Sequence, residues 1–430
     1  MDELFVGYNA WAAEKLDIAM SVDLVYEEKT EGGDRGVYVS EDILPQTTVL
    51  SIPAESLLNV HTMAQSPLKD LLSLPLCEDD MLAWFLMYET FLNPSSKWKR
   101  HLDVLPKTFH NILYFTQDEI DMLEGSNVYY VAMQLQKQVA SDFAALQQTL
   151  LPDTLRLLSA DFSAETLLDA FSMNHYKWAL SVIWSRFVSV ALDEDILAKS
   201  MVPVFDMFNH DPTAQMTHGF DPTTNSFVLR THQHWSAGSQ IFINYGALPN
   251  HKLLPLYGFV LASNPFDAVE LYAPMGEDAP DFSRKLELLE DHGLAEHVAG
   301  VPFELFADSV NDELLAYLRI QRLDGGDLRS AAVEKSHFAF ELVHDDNEKD
   351  ALASLIYALQ QMLDAFPTSI EEDLEALVAT EEDPDQDESH LHMALQLRIS
   401  DKKILLAQIE MLQELLLPVI ARINQANLQD

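Results

Sequence analysis

Apolar and polar positions along this 430-residue chain change period three times, which divides it into four stretches. Residues 35–60 (RGVYVSEDILPQTTVLSIPAESLLNV) are rich in β-branched side chains punctuated by Gly and Pro, a pattern that predicts short strands joined by turns. Further on the period lengthens. Met81, Leu82, Phe85, Leu86 and Phe91 recur at helical spacing from Glu78 to Leu92, ahead of Asn93-Pro94. Helical patterns continue through 118–123 and 128–150, and residues 161–190 read as two more helices around Ser172. β-Character returns over 201–260, where VPVFDMFNH reads as a short apolar strand, SFVLRTHQH alternates, and Ala237-Gly238 turns the chain into QIFINYG. After Asn264-Pro265 helical periodicity dominates, broken by an acidic, Pro-containing stretch at 380–390 expected to be a solvated loop. The opening residues, MDELFVGYNAWAAEKLD, read as an ordinary first helix. The pattern therefore predicts an α+β chain in the order β, helical insert, β, helical tail, without an internal repeat.

Charge narrows the functions open to such a chain. Sixty-nine acidic residues against 26 Lys plus Arg give a formal net charge of −43. That surface repels phosphate backbones, so nucleic acid is not an expected partner. Basic partners would be drawn in by long-range steering, although solubility alone would account for the same composition. The single cysteine, Cys77, excludes an intrachain disulfide and a Cys-based zinc cluster. The default is an intracellular protein, cytoplasmic or nuclear, with a plastid origin compatible because a processed precursor would look the same. No run approaches the roughly 18 apolar residues of a membrane span, so no membrane partner is expected. A monomer is expected too.

Four segments carry candidate chemistry, and each also has a plain structural reading. Asp206-Met-Phe-Asn209-His210 puts an amide and an imidazole where an apolar strand ends, able to offer a donor and an acceptor to a heterocycle edge. A turn with an Asn cap would look the same. Ile241-Phe-Ile-Asn-Tyr245-Gly246 ends a buried-strand pattern in a phenol, and Tyr257-Gly258-Phe259 follows; both tyrosines could equally be core residues. Gly32-Gly33-Asp34-Arg35-Gly36 precedes a strand and permits close backbone approach to a ligand, as would any hairpin turn. The apolar helix around Trp178–Phe187 carries Arg186, which needs an anionic partner, from a ligand or from a salt bridge. His232 and His234 share a strand face, but without HExxH, CxxC or a spaced carboxylate no metal site is expected. No GxSxG element marks a serine hydrolase.

Taken in order, these segments resemble the SET domain: a glycine loop with Arg-Gly, a helical Ser-Arg, a strand-end D-x-x-N-H, then NYG and YGFV. The chain resembles in particular the branch similar to Rubisco large-subunit methyltransferase. SSKWKRHLDVLP (95–106), DEIDMLEGS (118–126) and YKWALSVIWSRF (176–187) resemble that branch's insert and the helix after it. ALPNHKLLPLYGFV (247–260), FPTSIEEDLEAL (366–377) and ALQLRISDKKILLAQIE (394–410) resemble its later segments. The resemblance implies a β-rich catalytic SET domain over 1–265, with a helical insert at about 76–172. An all-helical substrate-binding domain over 266–430 would follow.

It also implies S-adenosyl-L-methionine as cofactor and a protein as substrate, one with a basic target region given the acidic surface. By the same resemblance Arg35 and Gly36 line the cofactor through the backbone, Ser185 and Arg186 hold its methionine end, and Asp206, Asn209 and His210 contact the adenosine and amino-acid portions. Tyr245 matches the catalytic tyrosine, Tyr257 a second aromatic of the site, and Phe205 and Val188 the channel for the target side chain. Three features depart from the pattern: Asp34 inside the glycine loop, His251 where the plant enzymes carry alanine, and a short segment between His210 and Tyr245. Lysine is the expected target, because relatives that methylate actin histidine carry Asn and Trp where this chain has Val188 and Phe205. A non-catalytic peptide-binding module is the remaining alternative, but such a module would be expected to lose Asn209-His210 or Tyr245.

Overall fold

The computed structural model describes residues 3–28, 35–193, 196–331, 341–381 and 389–428. The chain divides into two compact units, the first made of Met1–Tyr114, Gln134–Ala247 and Leu256–Gly258, the second of Phe115–Met133, Leu248–Pro255 and Phe259–Asp430. This division departs from a cut after residue 265 on three counts. Phe115–Met133 leaves the helical insert for the second unit, Leu248–Pro255 belongs to it as well, and it resumes at Phe259.

In the first unit short strands surround a helical insert. A four-stranded antiparallel sheet runs in the order Ala19–Met20, Thr48–Pro53, Ser226–Thr231, Met216–Asp221. Two antiparallel hairpins stand beside it, Leu24–Glu28 with Arg35–Val39 and Phe187–Asp193 with Ile196–Met201. Asn209–His210 and Phe242–Ile243 form a two-residue parallel pair. The predicted helix from Glu78 is present as Glu78–Met87, followed by a π-turn over Tyr88–Leu92 that ends at Asn93. The insert is packed on Trp84, which stacks on Phe171 at 4.5 Å and donates its indole N–H to Thr154 Oγ1 at 2.8 Å. That satisfies the one polar atom of a ring otherwise sealed in the core.

Two local expectations fail for identifiable reasons. Helix Met173–Arg186 stops where the sequence pattern ran on to residue 190, because Phe187-Val188-Ser-Val190 pairs with Ala198–Met201 as a strand. β-Branched residues fit that pleated pairing better than a helix. The apolar run VPVFDMFNH is not one strand either. Val204 takes φ 74° and ψ −48°, a 3₁₀ turn follows over Phe205–Met207, and only Asn209–His210 pairs. A buried valine at positive φ is strained backbone held by its surroundings. It directly precedes Phe205-Asp206.

The second unit is dominated by helices, Phe282–Asp291, Asp312–Gln321, Asp345–Asp364, Ile370–Glu381 and His390–Asn427 among them. It is not all-helical. Val269–Leu271 and Phe303–Leu305 pair as a small antiparallel sheet. The acidic loop expected at 380–390 lies largely outside the described residues, at 382–388. His390–Asn427 contains an 18-residue window of mean hydropathy 1.7, so by length and composition it meets the test for a membrane-crossing helix, against the sequence expectation. Its inner face nevertheless packs in the unit and carries buried charges. Asp373 receives Arg398 at 2.8 Å and Lys402 at 2.6 Å, and Lys402 also donates to the Thr368 carbonyl at 2.7 Å. Asp401, one position away, is buried as well, and burial first, then the nearby Asp267 carboxylate, pushes its pKa up to about 7.

The sign of the Asp401 shift makes a prediction. Its folded pKa lies above the free aspartate value of about 3.9, so the native state retains a proton that the unfolded chain loses. Stability should fall as pH rises from about 4 to about 7, then level off. In Asp401→Asn, which keeps the shape of the protonated acid, this contribution should vanish. Scanning calorimetry across that range should show the variant gaining in melting temperature over the natural protein as pH increases. A pH-independent difference would assign the cost to another group.

Candidate active site

Asp206 is the centre around which the candidate residues assemble. Its side chain is fully buried, with Oδ2 3.1 Å from His101 Nε2. On its other side His101 meets the Tyr8 hydroxyl at 2.5 Å. Burial raises the Tyr8 pKa, keeping the phenol protonated. Arg186, at the last turn of its helix, donates from Nη1 to the Asp206 carbonyl at 2.7 Å and lies 3.7 Å from the Asp206 carboxylate. The anion that the sequence required for Arg186 is thus partly supplied inside the chain. Ser185, expected to hold a ligand, donates its hydroxyl back to the Ser181 carbonyl at 2.7 Å.

The Asn209–His210 pair lies one turn beyond. Asn209 Nδ2 donates to the Arg35 carbonyl at 3.2 Å, tying the strand after the glycine loop to this segment. The loop residues Gly32-Gly33-Asp34 themselves lie outside the described residues. Arg35 sends its guanidinium to the Val104 carbonyl at 2.9 Å, so only its backbone faces Asn209. Gly36, expected to make room for a ligand, instead makes room for Gln240. A Cβ there would come within 2.6 Å of the Gln240 amide. His210 Nδ1 accepts the Tyr245 backbone N–H at 3.1 Å, and its ring stacks on Tyr245 at 4.9 Å. Burial lowers the His210 pKa and favours the neutral ring.

Tyr245 stacks on Tyr257 at 5.3 Å and donates its hydroxyl to the Phe208 carbonyl at 2.7 Å. Tyr257 is aimed by Gly258, which has φ +81° and sits so close to residues 110–111 that a Cβ would meet the Asn111 nitrogen at 2.8 Å. Ser185, Arg186, Val188, Phe205, Asp206, Tyr245 and Tyr257 line one cavity of about 50 Å³. Chain folding therefore brings seven of the eleven candidates to one space. Arg35, Gly36, Asn209 and His210 are linked to it through the Asn209–Arg35 and His210–Tyr245 bonds, and by Gln240 beside Gly36.

His101 and Tyr8 were not legible as site residues, since nothing in the spacing joins positions 105 and 93 residues apart. Nor was His218, which lines the same cavity with its ring 4.9 Å from Phe205 and 5.7 Å from Phe227. It lies on the strand Met216–Asp221, whose sequence carries no pattern that would have singled it out. His232 and His234 go to separate partners, Gln46 with Thr217 and Asp42 respectively. Among the described residues no group of three or more His, Cys, Asp or Glu is placed to hold a metal.

The donor set fits a ligand with an amino-acid end. Arg186 Nε and Asp206 Oδ1 are both buried without a hydrogen-bond partner, and both residues line the cavity. Such atoms are costly to leave unmatched. One needs an acceptor such as a carboxylate, the other a donor such as an ammonium. The enclosed volume suits the tip of an aminoalkyl chain or a methyl group rather than a nucleoside.

Comparison with known proteins decides the family. The SET domain family matches residues 34–246, and the Rubisco LSMT substrate-binding family matches residues 276–405. This chain belongs to the SET family. It is the two-domain form, similar to the chloroplastic [fructose-bisphosphate aldolase]-lysine N-methyltransferase of Arabidopsis thaliana at 26% identity, over 92% of this chain and 81% of that one. The human actin-histidine N-methyltransferase is 25% identical over 94% of this chain and 67% of its own length. A structure of Rubisco LSMT bound to AdoMet superposes with a TM-score of 0.78 at 24% identity, covering 97% of this chain and 93% of that one. The LSMT SET domain bound to lysine and AdoHcy gives 0.80 with the same coverage. As a SET protein, the chain is an S-adenosylmethionine-dependent protein methyltransferase.

Because Asp206 satisfies both a guanidinium and a fully buried imidazole, Asp206→Ala should cost about 3–5 kcal/mol, the range for leaving a buried partner unmatched. Asp206→Asn keeps one acceptor oxygen and should cost less. All six tryptophans (Trp11, Trp84, Trp98, Trp178, Trp184, Trp235) belong to the first unit. Urea unfolding followed by tryptophan fluorescence therefore reads this unit alone. An alanine variant as stable as the natural protein would remove Asp206 from the centre of the site.

Proposed function

We propose that this SET methyltransferase modifies a lysine side chain of a protein that presents a basic target region. The observation carrying the lysine reading is the apolar wall of the cavity: Val188 and Phe205 face the space beside Tyr245. An aliphatic stem is matched by such a wall, whereas a ring nitrogen would leave a buried polar group unpaired. The basic target follows from the formal charge of −43, which attracts cationic segments. An intracellular setting belongs to the same proposal.

Within this reading each residue has a task. Arg186 and Asp206 would hold the carboxylate and ammonium of the cofactor's amino-acid end, and Asn209, His210 and the Arg35 backbone its nucleoside portion. The cofactor supplies an electrophilic methyl on a positively charged sulfur. A nucleophilic lysine must arrive neutral, and a free lysine pKa of about 10.4 drops on entering a desolvated space. Tyr245 has already given its hydroxyl proton to the Phe208 carbonyl, so its oxygen meets the amine as an acceptor. It takes an N–H and leaves the nitrogen lone pair to point elsewhere. Tyr257 and Phe205 exclude water around this contact. Positioning of this kind, with no covalent intermediate, supplies the rate.

His218 gives a second reading some support. It is an imidazole on the same cavity wall, able to hydrogen-bond a ring acceptor, and the chain is as similar to actin-histidine methyltransferases as to lysine-directed relatives. Incubation with labelled cofactor and a proteome depleted of this activity, followed by mass spectrometry, separates the two. Methyl groups on lysine are expected; label found on histidine alone would replace the proposal.

Tyr245→Phe tests the mechanism. Loss of one positioned group should lower turnover by about 10²–10⁴-fold while cofactor affinity stays within a few-fold. Tyr257→Phe should act more mildly. Steady-state rates and calorimetric cofactor titration, taken at matched thermal stability, check both. A wild-type rate in Tyr245→Phe would pass its role to another residue.

A further inference from the structure

The first unit contains a second, larger cavity of about 860 Å³, within the span of small-molecule sites. It shares no lining residue with the cavity at Tyr245. Its walls come from the π-turn at Thr90-Phe91, from helix Lys99–Val104, from Leu105 to Tyr114, and from the first turns of helix Met173–Arg186. None of the residues assigned above to cofactor or target side chain lies in it.

Its charge runs against the rest of the molecule. In a chain with 26 basic and 69 acidic residues, Lys99, Lys107 and Lys177 all line this space with one acidic residue, Asp103. Asp103 is taken by Lys99 as an ion pair. Lys107 and Lys177 have no ion pair among the described residues, which leaves two unmatched positive charges on one cavity. Lys177 is partly buried over the Tyr114 ring, 5.3 Å from its centroid, and burial lowers its pKa. Beside the lysines stands a flat aromatic wall. Phe91 stacks on His175 at 3.8 Å and meets Trp178 edge-on at 5.4 Å, yet remains 40% exposed. An exposed aromatic ring inside a concave site is a surface for stacking.

We propose that this cavity binds a small phosphomonoester carrying a flat ring, of the nucleoside monophosphate type. Two unmatched lysines balance the charge of about −2 on such a phosphate, and the ring stacks on Phe91. A polyanionic chain is a poorer occupant, because the field of a −43 protein repels an extended anion while a compact one needs only local contacts.

The test uses the full chain with its cofactor site saturated by S-adenosylhomocysteine, titrated calorimetrically with uridine 5′-monophosphate, uridine and inorganic phosphate. The nucleotide should bind, with uridine and phosphate each weaker by about tenfold or more. Lys107→Gln/Lys177→Gln should weaken the nucleotide by about tenfold or more, and Lys107→Arg/Lys177→Arg should retain it. Melting temperature and S-adenosylhomocysteine affinity should be unchanged in both. No detectable heat with the nucleotide, equal affinity for nucleotide and phosphate, or an undiminished Gln variant would each overturn the proposal. So would preferential binding of a polyglutamate peptide. Methyl transfer does not enter these readouts, so they stand apart from the choice between lysine and histidine.

Discussion

The carboxylate of Asp206 is the constraint on which the first unit turns. It is sealed from solvent, and burying a charge is tolerable only where its partners are in place. Those partners come from far apart in the chain: Arg186 ends the helix leading out of the insert, His101 lies on helix Lys99–Val104, and Tyr8 lies on the first helix behind it. One residue therefore fixes the N-terminal helix, the insert and the segment leading to Asn209-His210. The strained Val204 backbone beside it follows from the same demand. A relaxed strand there would not turn Phe205 towards Phe227 while sending Asp206 inward.

What the sequence revealed and what it hid separate along physical lines. Tyr245, Asn209 and His210 stood out because their order along the chain matched a known arrangement, although each taken alone had a plain structural reading. The insert was legible because its apolar positions repeat at helical spacing, as in Met81, Leu82 and Phe85. The run from Val202 to His210 was misread as a strand, since periodicity cannot distinguish a buried 3₁₀ turn from a buried strand in so few residues. Gly36 also serves a packing contact that the sequence hid. Its missing side chain is filled by Gln240, 204 positions on, and no local pattern reports that contact. His101 was invisible on the same grounds: its role is created entirely by a long-range neighbour.

The second unit obeys a different economy of charge. Its C-terminal helix is apolar enough in one window to suit a membrane, yet places Arg398, Asp401 and Lys402 on its buried side. Arg319 and Glu348 form a further buried pair, bidentate at 2.6 and 2.8 Å. Buried pairs of this kind contribute little net stability but penalise every register in which they are broken. They fit a helical stack that must keep one arrangement.

One phenol can orient an acceptor without itself being part of the chemistry. Tyr245 is fixed at both ends, its backbone N–H held by His210 and its hydroxyl proton given to the Phe208 carbonyl. Its ring is pressed between His210 and Tyr257, stacked on both. A group restrained in this way loses little further freedom when the acceptor arrives, so the orientation it imposes is already present in the folded protein. The restraint is indifferent to whether the incoming nitrogen belongs to an amine or an imidazole. Selection between them must then reside in the walls, which set apolar Val188 and Phe205 against polar groups such as His218 and Asn244.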